Sequence, residues 1–149
     1  ARALATGDPR RHNGFHLLLA DARGGHLVWT DGPVLRWRSL DPGVHVVTER
    51  SLAGGVSARE ERVKQALDGL ASGPPPADEE LERLLAGHAD PPLHGVCVHA
   101  PEQDYGTRSS TIVRLDGAGV LTSYRHAPGP PCTTAYADLT ELARQSLTS

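Results

Sequence analysis

The first third of the chain contains short apolar or alternating runs separated by turn signals, a pattern typical of antiparallel strands. "FHLLLAD" (15–21) is mostly apolar and predicts a strand covered on both faces. "HLVWT" (26–30) and "VLRWRSL" (34–40) follow across Gly- and Pro-containing turns, and the alternation in the second run predicts one solvated and one buried face. A further run, "VHVVT" (44–48), extends the prediction to three or four consecutive strands.

The hydrophobic period then changes to that of helices. Ser57 followed by Glu60 is a capping box, and the apolar positions from Val63 to Leu70 form one stripe. Glu60 and Lys64 have the spacing of an ion pair, which we expect on the outer face. A run of prolines then leads to a second helix, with acidic residues in its first turn and a leucine stripe up to position 85.

The last third returns to strand patterns and closes with a helix. Strands are predicted in "GVCVHA" (95–100), "TIVRLD" (111–116) and "VLTSYRHA" (120–127), and a short amphipathic helix follows the Asp138/Glu141 capping pattern. Strands, two helices, strands and a helix form the order of an α+β layered domain. We expect residues 1–149 to form this single domain.

Composition narrows the class of protein. A net charge of −3 without a basic cluster argues against nucleic acid as a partner, and no apolar run approaches the ~20 residues of a membrane span. No signal peptide is recognisable at the amino end, and two cysteines are too few for a disulfide framework, so we expect a cytoplasmic protein. The arginine-rich, lysine-poor composition favours a bacterial source. The absence of methionine indicates a fragment of a longer product.

The stretch "DYGTRSST" (104–111) places one arginine among hydroxyl side chains just ahead of an apolar run. Arg108 has the planar fork that binds carboxylates and phosphates, with hydroxyls to add hydrogen bonds. The alternative is a surface arginine beside good sheet formers. Spacing alone leaves both interpretations open.

The chain offers candidate metal ligands but no recognisable metal motif. Cys97 and His99 share a predicted strand face, yet neither they nor His12 and His16 match the paired spacing of structural zinc sites. The residues therefore predict no metal site, and Cys97 between valines is interpreted as a small buried hydrophobe. No nucleophile elbow, phosphate loop or dinucleotide fingerprint occurs, so no catalytic residue is predicted.

Several segments, taken in order, resemble the second half of the NRDE proteins, the transport and Golgi organisation 2 family. They are "HNGFHLLLAD", "GVHVVTERSL" and "GVCVHA…DYGTRSSTIVRLDGAGVLTSYRHA". The resemblance implies the C-terminal portion of an N-terminal-nucleophile-hydrolase-like αββα sandwich. In that fold, relatives hydrolyse amides with an amino-terminal cysteine. This chain starts at Ala1 and lacks the Asn-Arg-Asp-Glu string, so whether the protein is an enzyme stays open.

The same resemblance implies a ligand site. The family is linked to haem trafficking and acyl-CoA handling, which implies an anionic amphipathic ligand, with haem as a candidate cofactor. Glu49 replaces an asparagine common in the family, and a carboxylate would repel an oxyanion. Alternatives are an amide hydrolase whose cysteine lies on a preceding segment, and an interaction scaffold. A missing N-terminal half or self-association would cover the sheet edges. The expected ligand-binding residues are Asn13, Glu49, Tyr105, Thr107, Arg108 and Ser110.

Overall fold

Three small antiparallel sheets and three α-helices make up the described part of the protein. The computed structural model describes residues 14–31, 33–48, 57–68 and 73–147. The α+β class predicted from the element order is therefore confirmed. Within those ranges, no helix combines the length and the apolar character that a membrane span needs.

The first sheet consists of β1 (His16–Asp21), β2 (Gly24–Asp31) and β3 (Val34–Leu40), paired in chain order. The prediction that β1 is covered on both faces is wrong, because Leu18 is 61% exposed. The covered strand is β2, where successive residues on opposite faces, Leu27 and Val28, are each only 1% exposed.

The alternation predicted for β3 also fails. Trp37, placed on its buried face by the pattern, is 53% exposed and packs edge-on against the ring of His26. The fourth predicted strand (44–48) is wrong as well, since this segment pairs with none of the described strands. A ring nitrogen of His45 lies 2.7 Å from the carbonyl oxygen of Asp41, and this local contact keeps the segment close to the preceding turn instead of extending it into the sheet.

The two predicted central helices are present as α1 (Ala58–Asp68) and α2 (Asp78–Leu85). The hydroxyl of Ser57 accepts a hydrogen bond from the amide of Glu60 at 3.2 Å, which confirms the N-terminal signal of α1. The Lys64–Glu60 ion pair also forms, at 2.7 Å. Its predicted outward position is wrong for Glu60, which is only 6% exposed.

The segment predicted as one long strand at 95–100 is mostly loop. After a 3₁₀ turn at Pro92–His94, only β4 (His99–Ala100) forms a paired strand, and its partner is β5 (Tyr105–Gly106). Arg59 on α1 donates a hydrogen bond to the carbonyl of Leu93 at 2.8 Å and so anchors this loop to α1.

The third sheet contains β6 (Ser110–Leu115), β7 (Leu121–Ala127) and β8 (Ala137–Asp138), and α3 (Thr140–Leu147) packs on β7. Asp138, two residues before α3, accepts hydrogen bonds from the amide and hydroxyl of Thr140, the first residue of the helix, at 2.9 and 2.6 Å. The Thr140 hydroxyl in turn accepts from the amide of Tyr124 at 2.9 Å. This chain of bonds attaches the helix to the central strand.

Charged side chains connect α2 to the third sheet. Arg114 on β6 donates to Asp78 at 2.6 Å, and Arg125 on β7 lies 2.6 Å from Glu82. All four side chains are less than a third exposed. Removing one partner of a partly buried ion pair costs more free energy than removing one partner of an exposed pair. These ion pairs therefore hold α2 against the third sheet.

The first and third sheets meet at Gly119. This residue has φ +77°, and a Cβ there would lie 2.8 Å from the amide nitrogen of Ala22 in the turn after β1. Only glycine allows both the left-handed backbone and this close approach. The buried apolar residues come from β2, the loop around β4, and the third sheet, and they are Leu27, Val28, Cys97, Val98, Ala100, Ile112, Leu121 and Ala127.

Candidate functional site

The loop after α2 is folded back by the carbonyl oxygen of Gly87. It accepts hydrogen bonds from the amides of Val96 and Cys97, at 3.0 and 2.9 Å. Gly95 permits this turn, because a Cβ there would lie 3.0 Å from the Cys97 carbonyl oxygen. His88, the residue after Gly87, is thereby held beside Cys97.

A threonine hydroxyl holds the other side of the loop. Thr107 follows β5, and its Oγ1 accepts a hydrogen bond from the amide of Val98 at 2.9 Å. The Thr107 amide donates to the carbonyl of Val98 at 3.0 Å. Together with the pairing of His99 and Gly106 across β4 and β5, these bonds fix the backbone between Cys97 and His99.

A proline-rich turn after β7 supplies the remaining residue of the site. The carbonyl oxygen of Pro130 accepts hydrogen bonds from the amides of Thr133 and Thr134, at 3.0 and 2.9 Å. Cys132 lies inside this turn and faces the loop around β4. The fixed φ of proline limits the conformations of the turn before any ligand binds.

Four side chains with metal-binding atoms meet here, and all their ligand atoms lie within 4.8 Å of one another. The Cys97 and Cys132 Sγ atoms are 3.6 Å apart. His99 Nε2 lies 3.6 Å from the Cys97 Sγ and 3.1 Å from the Cys132 Sγ. The fourth member is His88, whose ring centroid is 5.2 Å from that of His99. We call these four residues the Cys/His cluster.

The members of the cluster differ in their contact with solvent. Cys97 is 1% exposed and Cys132 is half-buried, whereas both histidines are exposed. Burial raises the pKa of the Cys97 thiol above its ordinary value, and the backbone amide of Cys132 acts in the opposite direction. Cys97 is thus buried, as predicted, but its sulfur faces three polar ligand atoms instead of apolar side chains alone.

An open pocket of about 520 Å³ adjoins the cluster, and His99 lines both. Three predicted ligand-binding residues, Tyr105, Thr107 and Arg108, line this pocket. The side chain of Arg108 is exposed, and none of the carboxylates that the structure describes forms an ion pair with it. Asp104, with φ 47°, also lines the pocket and contributes negative charge.

Ser110, another predicted ligand-binding residue, does not line this pocket. Ser110 begins β6, and its hydroxyl accepts a hydrogen bond from the phenol of Tyr136 at 2.5 Å. Strand β6 begins at Ser110, one residue before the predicted start at Thr111. Asn13 and Glu49 lie outside the described residues.

A second pocket, of about 570 Å³, lies between α3 and the third sheet and is mainly apolar. Val113 and Leu115 of β6 and Leu142 of α3 contribute to it and are 52%, 43% and 61% exposed. Strand β6 thus has the arginine-lined pocket near its beginning and an apolar pocket near its end.

Sequence reasoning did not find the Cys/His cluster because its members come from separate segments. Cys97 and His99 are neighbours in the sequence, but His88 stands alone after α2 and Cys132 lies 35 residues after Cys97. The spacing of residues in the sequence cannot predict this site, because the site forms only when the turn after β7 packs on the loop around β4. One signal was available: the only two cysteines of the chain are both members of the cluster.

Comparisons with known proteins assign no family to the chain. No protein-family model, curated protein or solved structure matches it.

Proposed function

We propose that this chain is the C-terminal part of an NRDE-like protein and that its Arg108 pocket binds the head group of an anionic amphipathic ligand. Haem, with its propionates, and acyl-CoA, with its phosphates, are the ligand classes that the sequence resemblance favours. The observation that carries the proposal is the exposed guanidinium of Arg108, unpaired among the described carboxylates, in a pocket of about 520 Å³.

The chemistry of the pocket suits one anionic head group. A guanidinium offers parallel N–H donors to a carboxylate or phosphate, and such charge-assisted bonds are stronger than neutral ones. The volume falls in the range of ~300–1,000 Å³ that is usual for small-molecule sites. The phenol of Tyr105, 52% exposed, provides a further hydrogen-bonding group at the rim.

The apolar pocket beside α3 supports an amphipathic ligand. Val113 follows Arg108 by five positions in the chain, so the two residues lie at most ~18 Å apart. A long acyl chain spans that distance. Its apolar body would cover Val113, Leu115 and Leu142, whose exposed surface is otherwise unfavourable in water.

The proposed architecture is the αββα sandwich that the resemblance implies. Its support is the pair of three-stranded antiparallel sheets, which approach each other at Gly119, and the packing of α2 and α3 against the third sheet. The remaining strands would come from a preceding segment of the protein.

The proposal is tested by titrating the protein with palmitoyl-CoA and, separately, with haemin. Arg108→Ala should weaken binding of the probe by about 10- to 150-fold, equivalent to the ~1.5–3 kcal/mol of a charge-assisted hydrogen bond. The matched control is Arg23→Ala, which removes the same charge from the exposed turn between β1 and β2 and should bind like the wild type. Equal binding by wild type and Arg108→Ala would contradict the proposal, as would no binding of either probe.

A further inference from the structure

The proposed binding of an anion in the Arg108 pocket does not require the Cys/His cluster. The cluster nevertheless brings four metal-binding atoms within 4.8 Å of one another. Two thiols and two imidazoles converge from the loop after α2, from β4 and from the turn after β7. Their convergence is held by backbone hydrogen bonds at Gly87 and Pro130. The backbone thus holds the four side chains together independently of the Arg108 pocket.

Two of the three separations among Cys97, His99 and Cys132 are those of a tetrahedral metal site, and the third is slightly shorter. Zinc binds thiolate sulfur at ~2.3 Å and imidazole nitrogen at ~2.0–2.1 Å, so neighbouring ligand atoms on a tetrahedron lie ~3.3–3.8 Å apart. The Cys97–Cys132 and Cys97–His99 separations are both 3.6 Å, and the His99–Cys132 separation is 3.1 Å. A small movement of His88 completes the tetrahedron, since its ligand atom is already within 4.8 Å of the others.

We propose that His88, Cys97, His99 and Cys132 bind one zinc ion. Two thiolates with two imidazoles suit a borderline-soft cation and exclude magnesium and calcium, which prefer oxygen ligands. Four protein ligands fill the tetrahedron, as in structural zinc sites. The ion would connect the loop around β4 to the turn after β7, two parts of the chain that carry the walls of the Arg108 pocket.

Two alternatives use the same atoms. In the first, the four groups are linked only by weak hydrogen bonds of thiols. In the second, the cysteines form a disulfide under oxidising conditions, although their 3.6 Å separation is far from the ~2.05 Å of that bond. The first alternative predicts that the reduced protein has no tight site for zinc, and the second predicts that the protein as isolated has no free thiols and no tight site for zinc.

The test measures zinc bound by the full chain after chelation, reduction and reloading, by elemental analysis and by competition with a chromogenic chelator. We expect about one zinc per chain, as a single four-ligand site requires. Cys132→Ser and His88→Ala should each weaken binding more than about 100-fold, since even outer-shell partners of metal ligands contribute ~10–100-fold. These two residues are only partly buried or exposed, so the variants are expected to fold.

His94→Gln is the matched control, because it removes an exposed histidine of the same loop that is not in the cluster. It should retain full zinc binding. Arg108→Ala should also retain zinc, and this separates failure of the anion pocket from failure of the metal site. Cobalt(II) in place of zinc should give the intense visible bands of a tetrahedral site and a near-ultraviolet sulfur-to-metal band that weakens in Cys132→Ser.

Three results would overturn the proposal. Reduced wild-type protein that retains no zinc would leave hydrogen-bonded thiols as the explanation. A thiol titration that finds both cysteines oxidised in protein isolated without oxidant would establish the disulfide. Zinc binding equal in Cys132→Ser, His88→Ala and wild type would place the metal elsewhere.

Discussion

The Sγ atoms of Cys97 and Cys132 lie 3.6 Å apart, although 35 positions separate the residues in the chain. Their approach brings the turn after β7 onto the loop around β4, where His99 completes both the Cys/His cluster and one wall of the Arg108 pocket. The proposed zinc site and the proposed anion pocket therefore share the side chain of His99. The Cys/His cluster and the Arg108 pocket can nevertheless be tested separately.

The charge of Asp104 opposes the proposed anion, and its removal should strengthen binding. Asp104→Asn should tighten the affinity for palmitoyl-CoA by up to about five-fold, because a unit charge a few ångströms away costs ~1 kcal/mol in water. Asparagine tolerates the left-handed backbone at this position, φ 47°, so the turn should be kept.

The control for this variant is Glu102→Gln, an exposed carboxylate of the same turn that does not line the pocket. Its effect should be smaller, and both effects should decrease as salt screens the charge. Weaker palmitoyl-CoA binding by Asp104→Asn would show that the head group does not lie near Asp104.

The hydroxyl of Ser110 is expected to stabilise the fold and not to bind the ligand. Ser110→Ala removes the acceptor of the Tyr136 phenol and should lower the free energy of unfolding by about 1 kcal/mol. Tyr136→Phe should lower the free energy of unfolding by a similar amount, and the double variant should lower it by little more than either single variant. Urea denaturation measures these differences. Palmitoyl-CoA affinity should be unchanged in Ser110→Ala. If Ser110→Ala lost as much palmitoyl-CoA affinity as Arg108→Ala, Ser110 would have to be part of the binding site.

The ion pair between Arg114 and Asp78 should contribute measurably to stability. A double-mutant cycle with alanine at both positions should give a coupling energy of about 1–3 kcal/mol, because each side chain is less than a third exposed and their atoms are 2.6 Å apart. The comparison pair is Arg144 and Glu141, 3.7 Å apart and 46% and 75% exposed, with an expected coupling below about 0.5 kcal/mol. Equal couplings would contradict the assigned role of the α2 contact.

The cap of α3 predicts a dependence of stability on acid pH. Hydrogen bonds from Thr140 lower the pKa of Asp138 below its ordinary value. The cap therefore stabilises the fold above the unfolded-state pKa of about 4, and this contribution is lost as the pH falls through the lower pKa of the folded state. Asp138→Asn should lower the melting temperature at neutral pH, and its difference from wild type should shrink below about pH 4.

Glu102→Gln again serves as the control, because its carboxylate caps no α-helix. The melting temperatures of this variant and the wild type should differ little at any pH. A constant deficit of Asp138→Asn across the acid range would mean that the side-chain charge is not what caps the helix.

Helices were predictable because their signals are local. The acidic first turn of α2 marks its start, and the last residue of its leucine stripe, Leu85, is also the last residue of the helix. The capping pattern at Asp138 likewise predicts a helix close to where α3 starts, at Thr140. Burial was less predictable, because it depends on which other element covers a residue. The apolar run of β1 gave no indication that Leu18 would face solvent while Val28, on the next strand, would be buried.

The site was half predictable for the same reason. Tyr105, Thr107 and Arg108 are consecutive or nearly so, and the structure places them around one pocket. His88 and Cys132 have no local partner in the sequence, and only tertiary packing brings them to Cys97.

X-ray absorption at the zinc edge tests the account most directly, because it reports the atoms bound to the metal and their distances. For the zinc-loaded protein we expect two sulfur ligands at ~2.3 Å and two imidazole nitrogens at ~2.0–2.1 Å. Replacement of one sulfur by an oxygen or nitrogen is expected in Cys132→Ser. A first shell of six oxygen or nitrogen atoms, without sulfur, would contradict the account.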